Sequence, residues 1–188
     1  MIAIKPYLRQ AAVAYAARWA LGRNPLFYDF TGIGGDCTNF VSQCVLAGSC
    51  VMNFTTDFGW YYRSASDRAP AFTGVEYFWD FFTGASAFAA ANGGIGPFGR
   101  SVSEEETEIG DVVQLGDGAG DFYHTLLITD IRNGELLLSA HSNDAYNRPL
   151  SAYDAPVARF LHIEGVRFET ENVPCLAGLI NGTQLPSN

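Results

Sequence analysis

The stretch "GGDCTNFVSQC", Gly34 to Cys44, decides how the rest of the chain is read. A glycine pair runs into an acid and then a cysteine. From Cys37 onward Phe40, Val41, Cys44 and Val45 recur at the i, i+3/i+4 spacing of a helix face. Gly48 is expected to end that helix. A cysteine opening a helix lies where backbone N–H groups lack intrahelical partners. The positive end of the helix dipole is expected to lower the thiol pKa and favour the nucleophilic thiolate. The preceding glycines let backbone approach a substrate closely. Cys37 also reads as a small apolar core residue, a role that suits Cys44, two turns further on, better. Asp36 reads as an acid favourable to the helix start, or as a group that binds a substrate amine.

Working outward, the 188 residues suffice for one compact domain, read here as residues 1–168, with a weakly patterned C-terminal tail at 169–188. Net charge is −9 and the pI about 4.6, which argues against a nucleic-acid binder and against an anionic membrane surface. Four cysteines without a CxxC pair, and only three histidines, give no zinc-site spacing. Spacing does not say whether Cys44, Cys50 or Cys175 pair. Lys5 and Arg9 before the Ala-rich run 11–17 faintly resemble a signal peptide, but Arg18 interrupts the run and no convincing cleavage site follows. The run therefore reads as part of a helix over 6–22, and the compartment stays open. No run reaches the roughly 18 apolar residues of a membrane span.

The second half of the chain changes character. "GDVVQL" (110–115) reads as a short strand, as does "RFLHIE" (159–164). Residues 122–131 and 135–143 read as strands of a hairpin turning at Asn133-Gly134. A helix over 75–82 and loops at 49–72 and 84–108 complete the reading. Helices first and an antiparallel sheet second indicate an α+β domain.

A thiolate enzyme also needs a base. With a two-residue turn at 133–134, His124 lies opposite Asn143 and Leu126 opposite His141. That register puts His124, His141 and Asn143 on one face, so a polar neighbour can hold the imidazole in one tautomer. A slip of one residue would send His141 and Asn143 to the other face. The aromatic group Trp60, Tyr61, Tyr62 reads either as core or as the wall of a substrate groove.

"GGDCTNFVSQC", with "AAVAYAARWALGRNPLFYDF" upstream and "GWYY", "GDVVQL", "YHTLLITD" and "SAHSNDAYNRPL" downstream, resembles the putative amidase domain family, of the NlpC/P60 and CHAP papain-like group. The likeness covers roughly residues 5 to 165. It implies a papain-like α+β fold of NlpC/P60 type, with the nucleophile at a helix N-terminus packed on an antiparallel sheet. It implies Cys37 as nucleophile and His124 as base. His141 resembles the third, orienting residue of these enzymes, and Asn143 a second polar residue of CHAP domains. Asp36 and Trp60 are the candidate substrate contacts. The glutamine that papain-type enzymes place six residues before the cysteine is absent, because Thr31 stands there. The expected chemistry is cysteine-dependent hydrolysis of an amide through an acyl-enzyme, without metal or organic cofactor. Bacterial cell-wall peptides (peptidoglycan) are the leading substrate. An acyltransferase using the same pair, and a catalytically silent binding module, are the alternatives. Oligomeric state is not readable.

Overall fold

Every residue of helix α2 (Cys37–Ser49) is buried, although the helix carries five polar side chains besides its cysteines. In the computed structural model, which describes residues 1–85, 88–169 and 174–186, those polar groups tie the helix to different parts of the chain. Thr38 Oγ1 and Thr125 Oγ1 share a hydrogen bond of 2.9 Å. The Trp60 indole N–H donates to Ser42 Oγ at 3.0 Å, and the Tyr15 hydroxyl donates to Gln43 Oε1 at 2.7 Å. Asn39 Nδ2 donates to the Tyr28 carbonyl. Buried polar groups are tolerated when they are hydrogen-bonded in this way. Much of the motif's polar content therefore serves to anchor the central helix.

Helix α1 (Arg9–Trp19) crosses α2, burying Ala11, Ala12, Tyr15, Ala16 and Trp19. The crossing explains Gly48. A Cβ there would lie 2.3 Å from Tyr7 Cε2 and 2.9 Å from the Leu8 carbonyl. Gly48 thus sits inside the helix, and Cys50, with φ +54°, caps it instead.

The sheet contains β1 (Ala3–Lys5), β4 (Gly96–Val102), β5 (Val112–Gly116), β6 (Phe122–Arg132), β7 (Glu135–Ala140), β8 (Ala145–Pro149) and β9 (Val157–Phe168). Its order is β1-β9-β5-β6-β7-β8, with β4 on the other edge of β9, and its pairs are antiparallel. β2 (Tyr62–Ser64) and β3 (Asp67–Arg68) form a small separate pair, followed by α3 (Pro70–Thr73), α4 (Val75–Thr83) and α5 (Ala89–Asn92). The chain is thus α+β with an antiparallel sheet. One face of the sheet gives Val112, Leu127, Leu161 and Ile163 to the main core around α2. The other gives Val113, Leu115, Leu126, Ile128 and Leu138 to a smaller cluster covered by Leu150, Tyr153 and Phe160.

The β6–β7 hairpin corrects the expected register. Next to the turn, Arg132 pairs with Glu135 and Ile131 with Leu136, as expected. A bulge then intervenes between Ile128 and Asp130, and beyond it Ile128 pairs with Leu138 and Leu127 with Ser139. The extra residue, Thr129, has its hydroxyl within hydrogen-bond reach of the Leu137 carbonyl, Ser139 Oγ and Asn147 Oδ1. One inserted residue exchanges the faces of all that follows. His141 therefore turns toward α2, whereas His124 shares a face with Leu126.

Trp60 is not a groove wall. It is fully buried, packed against Phe72, Phe81 and Phe82, and bonded to Ser42. The segment after 168 also contributes to the core. Cys175 is disulfide-bonded to Cys50, and α6 (Leu176–Ile180) packs on α1, with Leu179 fully buried. The Trp19 indole donates to the Ile180 carbonyl, and Asn24 Nδ2 to that of Leu179. No described helix is long and apolar enough to cross a membrane.

Candidate active site

Cys37 opens α2, as its sequence position suggests, and is a free thiol. It is 6% exposed. Burial pushes its pKa up, against backbone N–H groups of Thr125 and Thr38 and the Thr38 hydroxyl, which pull it down. The expected lowering by the helix terminus is therefore outweighed by desolvation, which disfavours the charged form. The Asp36 carboxylate adds to the rise. The thiol that the structure presents is protonated at neutral pH.

Thr125, whose amide reaches the Cys37 sulfur, directly follows His124. The His124 ring projects from the opposite face of β6 into a cavity of about 200 Å³, lined also by Leu115, Tyr123, Asn143, Arg148, Tyr153 and Asp154. Burial, and then the Arg148 guanidinium, push His124 down to about 4. It is a neutral imidazole at pH 7, able to accept a proton. Among the described residues its side chain makes no hydrogen bond, and none links it to Cys37.

The other two histidines are committed. His162 Nδ1 lies 2.8 Å from Asp111 Oδ2, in a network where Arg9 reaches Asp111 Oδ1 at 2.6 Å. His141 is nearly inaccessible. Its Nδ1 lies 2.6 Å from Asp36 Oδ2, its Nε2 lies 2.9 Å from the Trp19 carbonyl, and its ring stacks on Phe40 at 4.1 Å. With both nitrogens engaged, His141 does not orient His124. This is the consequence of the Thr129 bulge. Asp36 stands at the start of α2, as one of its two readings has it, but the substrate-contact reading does not hold. It is 1% exposed, and Oδ1 accepts from the Phe30 N–H and Asn39 Nδ2 while Oδ2 meets His141, so it has no reach to a substrate amine.

Asn143 is brought to His124 by the shared cavity rather than by strand pairing. It and Ser142 have φ of +84° and +60°. Two consecutive left-handed non-glycine residues are unusual and characteristic of functional segments. The turn is held because Ser142 Oγ accepts the Asp36 N–H at 2.7 Å. Arg148, whose guanidinium stacks over Tyr153 at 4.3 Å, reads in the sequence only as a residue that orders the loop after Asn143, with no catalytic role. Nothing in its local pattern sets it apart from a solvated strand residue. The described residues hold no cluster of three or more His, Cys, Asp or Glu able to bind a metal ion.

Among the described residues, the free thiol at the start of α2 and the unbonded His124 ring on β6 are two groups of this region not already committed to partners of their own. The chain belongs to the putative amidase domain family, whose model matches residues 6–163. It is similar to two Bacillus subtilis (strain 168) proteins. Uncharacterized protein YhbB is 29% identical over 154 residues, which cover 79% of this chain and 46% of that protein. Uncharacterized protein YjcM is 29% identical over 159 residues, covering 78% of this chain and 33% of that protein. The chain thus spans less than half the length of these curated relatives. No solved structure matches. Membership of this family indicates amidase-type, hydrolytic activity.

Proposed function

We propose that the protein is a cysteine amidase of papain-like architecture, with Cys37 as nucleophile and His124 as base. One observation carries this reading. Of the three histidines, His124 has both ring nitrogens unbonded, and it adjoins the amide that touches the Cys37 thiol. Because successive side chains of a strand point to opposite faces, pairing of the two requires the start of β6 itself to move when substrate binds. Catalytic hydrogen bonds are often long or unmade before substrate binds.

Neutral His124 accepts the thiol proton as Cys37 Sγ attacks the amide carbonyl. The Cys37 backbone N–H, unpaired in the first turn of α2, faces the developing oxyanion. The imidazolium then gives its proton to the leaving amine, and an acyl-enzyme results. In the second half His124 removes a proton from water, which releases the acid and the free thiol. Asn143, in the same cavity, serves to orient the imidazole. Likeness to NlpC/P60 and CHAP enzymes makes bacterial cell-wall peptides the favoured substrate. The Cys50–Cys175 disulfide agrees with a setting outside the reducing cytosol.

Incubation with muropeptides and simple peptide amides, read by mass spectrometry for new termini, tests this. Wild type should cleave, Cys37→Ala should not, and His124→Ala should lose about 100-fold or more. Cleavage that survives Cys37→Ala overturns the reading. A silent binding module is favoured by one observation, the low exposure of the Cys37 thiol. It predicts muropeptide binding without turnover.

A further inference from the structure

The Asp36–His141 contact joins two nearly inaccessible ionisable groups immediately before the nucleophile. Its proton content follows from hydrogen-bond chemistry. The Trp19 carbonyl can only accept, so His141 Nε2 carries a proton. Nδ1 and Asp36 Oδ2 are 2.6 Å apart, which two unprotonated atoms do not tolerate, so a second proton lies between them. Asp36 Oδ1 meanwhile accepts two N–H groups, from Phe30 at 3.0 Å and Asn39 at 2.8 Å, and these contacts favour the carboxylate form. The proton therefore resides on the ring, and the pair is imidazolium–carboxylate. Among the described residues, the other charges in ion-pair reach of this contact belong to Arg23, whose Nε lies 3.7 Å from Asp36 Oδ2, and to the Arg23 partners Asp29 and Asp144. Three carboxylates thus meet two cations. Without the His141 charge they would meet one.

We propose that His141 is a positioning residue for the nucleophile and not for the base: as an imidazolium it neutralises Asp36 and, through it, pins the start of α2 and sets the charge beside Cys37. The geometry gives it three holds. It fastens Asp36 to the end of β7, it fastens both to the end of α1 through the Trp19 carbonyl, and its ring lies on Phe40, one turn past the thiol. Ser142, the next residue, accepts the Asp36 backbone N–H and completes the clamp. Removing the ring's charge leaves a bare carboxylate one residue from the sulfur, where it opposes thiolate formation.

This inference rests on the reading of Cys37 as nucleophile, but part of its test does not. The first measurement is the iodoacetamide rate of Cys37 across pH in wild type, His141→Gln, Asp36→Asn and the double variant. His141→Gln should slow alkylation at pH 7 by roughly three- to tenfold, the effect of an uncompensated like charge near a thiolate. Adding Asp36→Asn should restore the rate, because the carboxylate left bare is then gone. A merely structural role predicts no such rescue. An unchanged rate in His141→Gln, or a double variant slower than either single one, overturns the proposal. Should His141→Gln fail to fold, nitrogen-15 NMR of the wild-type histidines decides. His141 should show two protonated ring nitrogens at pH 7. A neutral His141 ring overturns the proposal while leaving Cys37 as nucleophile, so the two readings fail separately.

Discussion

Thr38 and Thr125 join hydroxyl to hydroxyl at 2.9 Å in the fully buried layer between α2 and β6. Thr38 follows Cys37 and Thr125 follows His124, so this bond sets the candidate nucleophile's helix against the candidate base's strand. Gln114 Nε2 also donates to Thr125 Oγ1, at 3.1 Å. Thr38→Val keeps the shape and removes the bond. It should cost about 1–2 kcal/mol of stability by urea denaturation. Amide cleavage should fall about tenfold or more, because small misplacements of reacting groups are costly. Equal, small losses in both would show that the bond only stabilises.

The state of His124 has a measurable pH signature. Its folded pKa is about 4 against an ordinary 6.5. Between these values the unfolded chain binds the proton and the native one does not, so stability rises with pH through that window and is lost as pH falls from about 6.5 to about 4. His124→Gln should flatten this slope. Arg148→Gln should raise the His124 value, but only part of the way, because burial is the larger cause. An NMR titration of the His124 ring reads both. A His124 that titrates near 6.5 in wild type would contradict the cavity's description.

Gly48→Ala tests the crossing of α1 and α2. The added Cβ meets the Tyr7 ring and the Leu8 carbonyl, and the carbonyl cannot move away as a side chain tip can. Overpacking of this kind costs about 1–3 kcal/mol. A lower midpoint in urea with unchanged slope is the expected result.

The α+β class, the helix start at Cys37 and the hairpin turn were legible, because hydrophobic period and an Asn-Gly turn are local signals. What depends on non-local contacts is not legible in the sequence. Thr129 looks like any strand threonine, yet its bulge moves His141 from the His124 face to the α2 face and so reassigns the residue. β4 reads as loop in the sequence because "GPFGRSV" has neither alternation nor β-branched density. It is a strand because β9 supplies the hydrogen bonds, and at Gly99 the two backbones approach so closely that a Cβ would lie 2.3 Å from the His162 carbonyl. Trp60 and Asp36 were plausible substrate contacts by type. Only packing reveals that one is core and the other is saturated with partners. The contribution of 175–182 to the core was invisible, since its link to α2 is a disulfide across 125 residues of sequence.

That disulfide yields a further prediction. Cys175→Ser should cost about 2–4 kcal/mol, because the closed loop is long. The loss should concentrate in α6 and the end of α1, seen as faster amide exchange there. Exchange spread evenly over the sheet would contradict the assignment of the bond to that corner.

The most direct test of the central claim, that Cys37 and His124 act as a pair, is the labelling rate of each cysteine by iodoacetamide in the native protein, located by mass spectrometry. Cys37 should label faster than the fully buried Cys44, and His124→Ala should remove most of that advantage between pH 6 and 8. If Cys37 stays unlabelled in the native state, or labels at the same rate without His124, the pair does not exist and the nucleophile assignment fails.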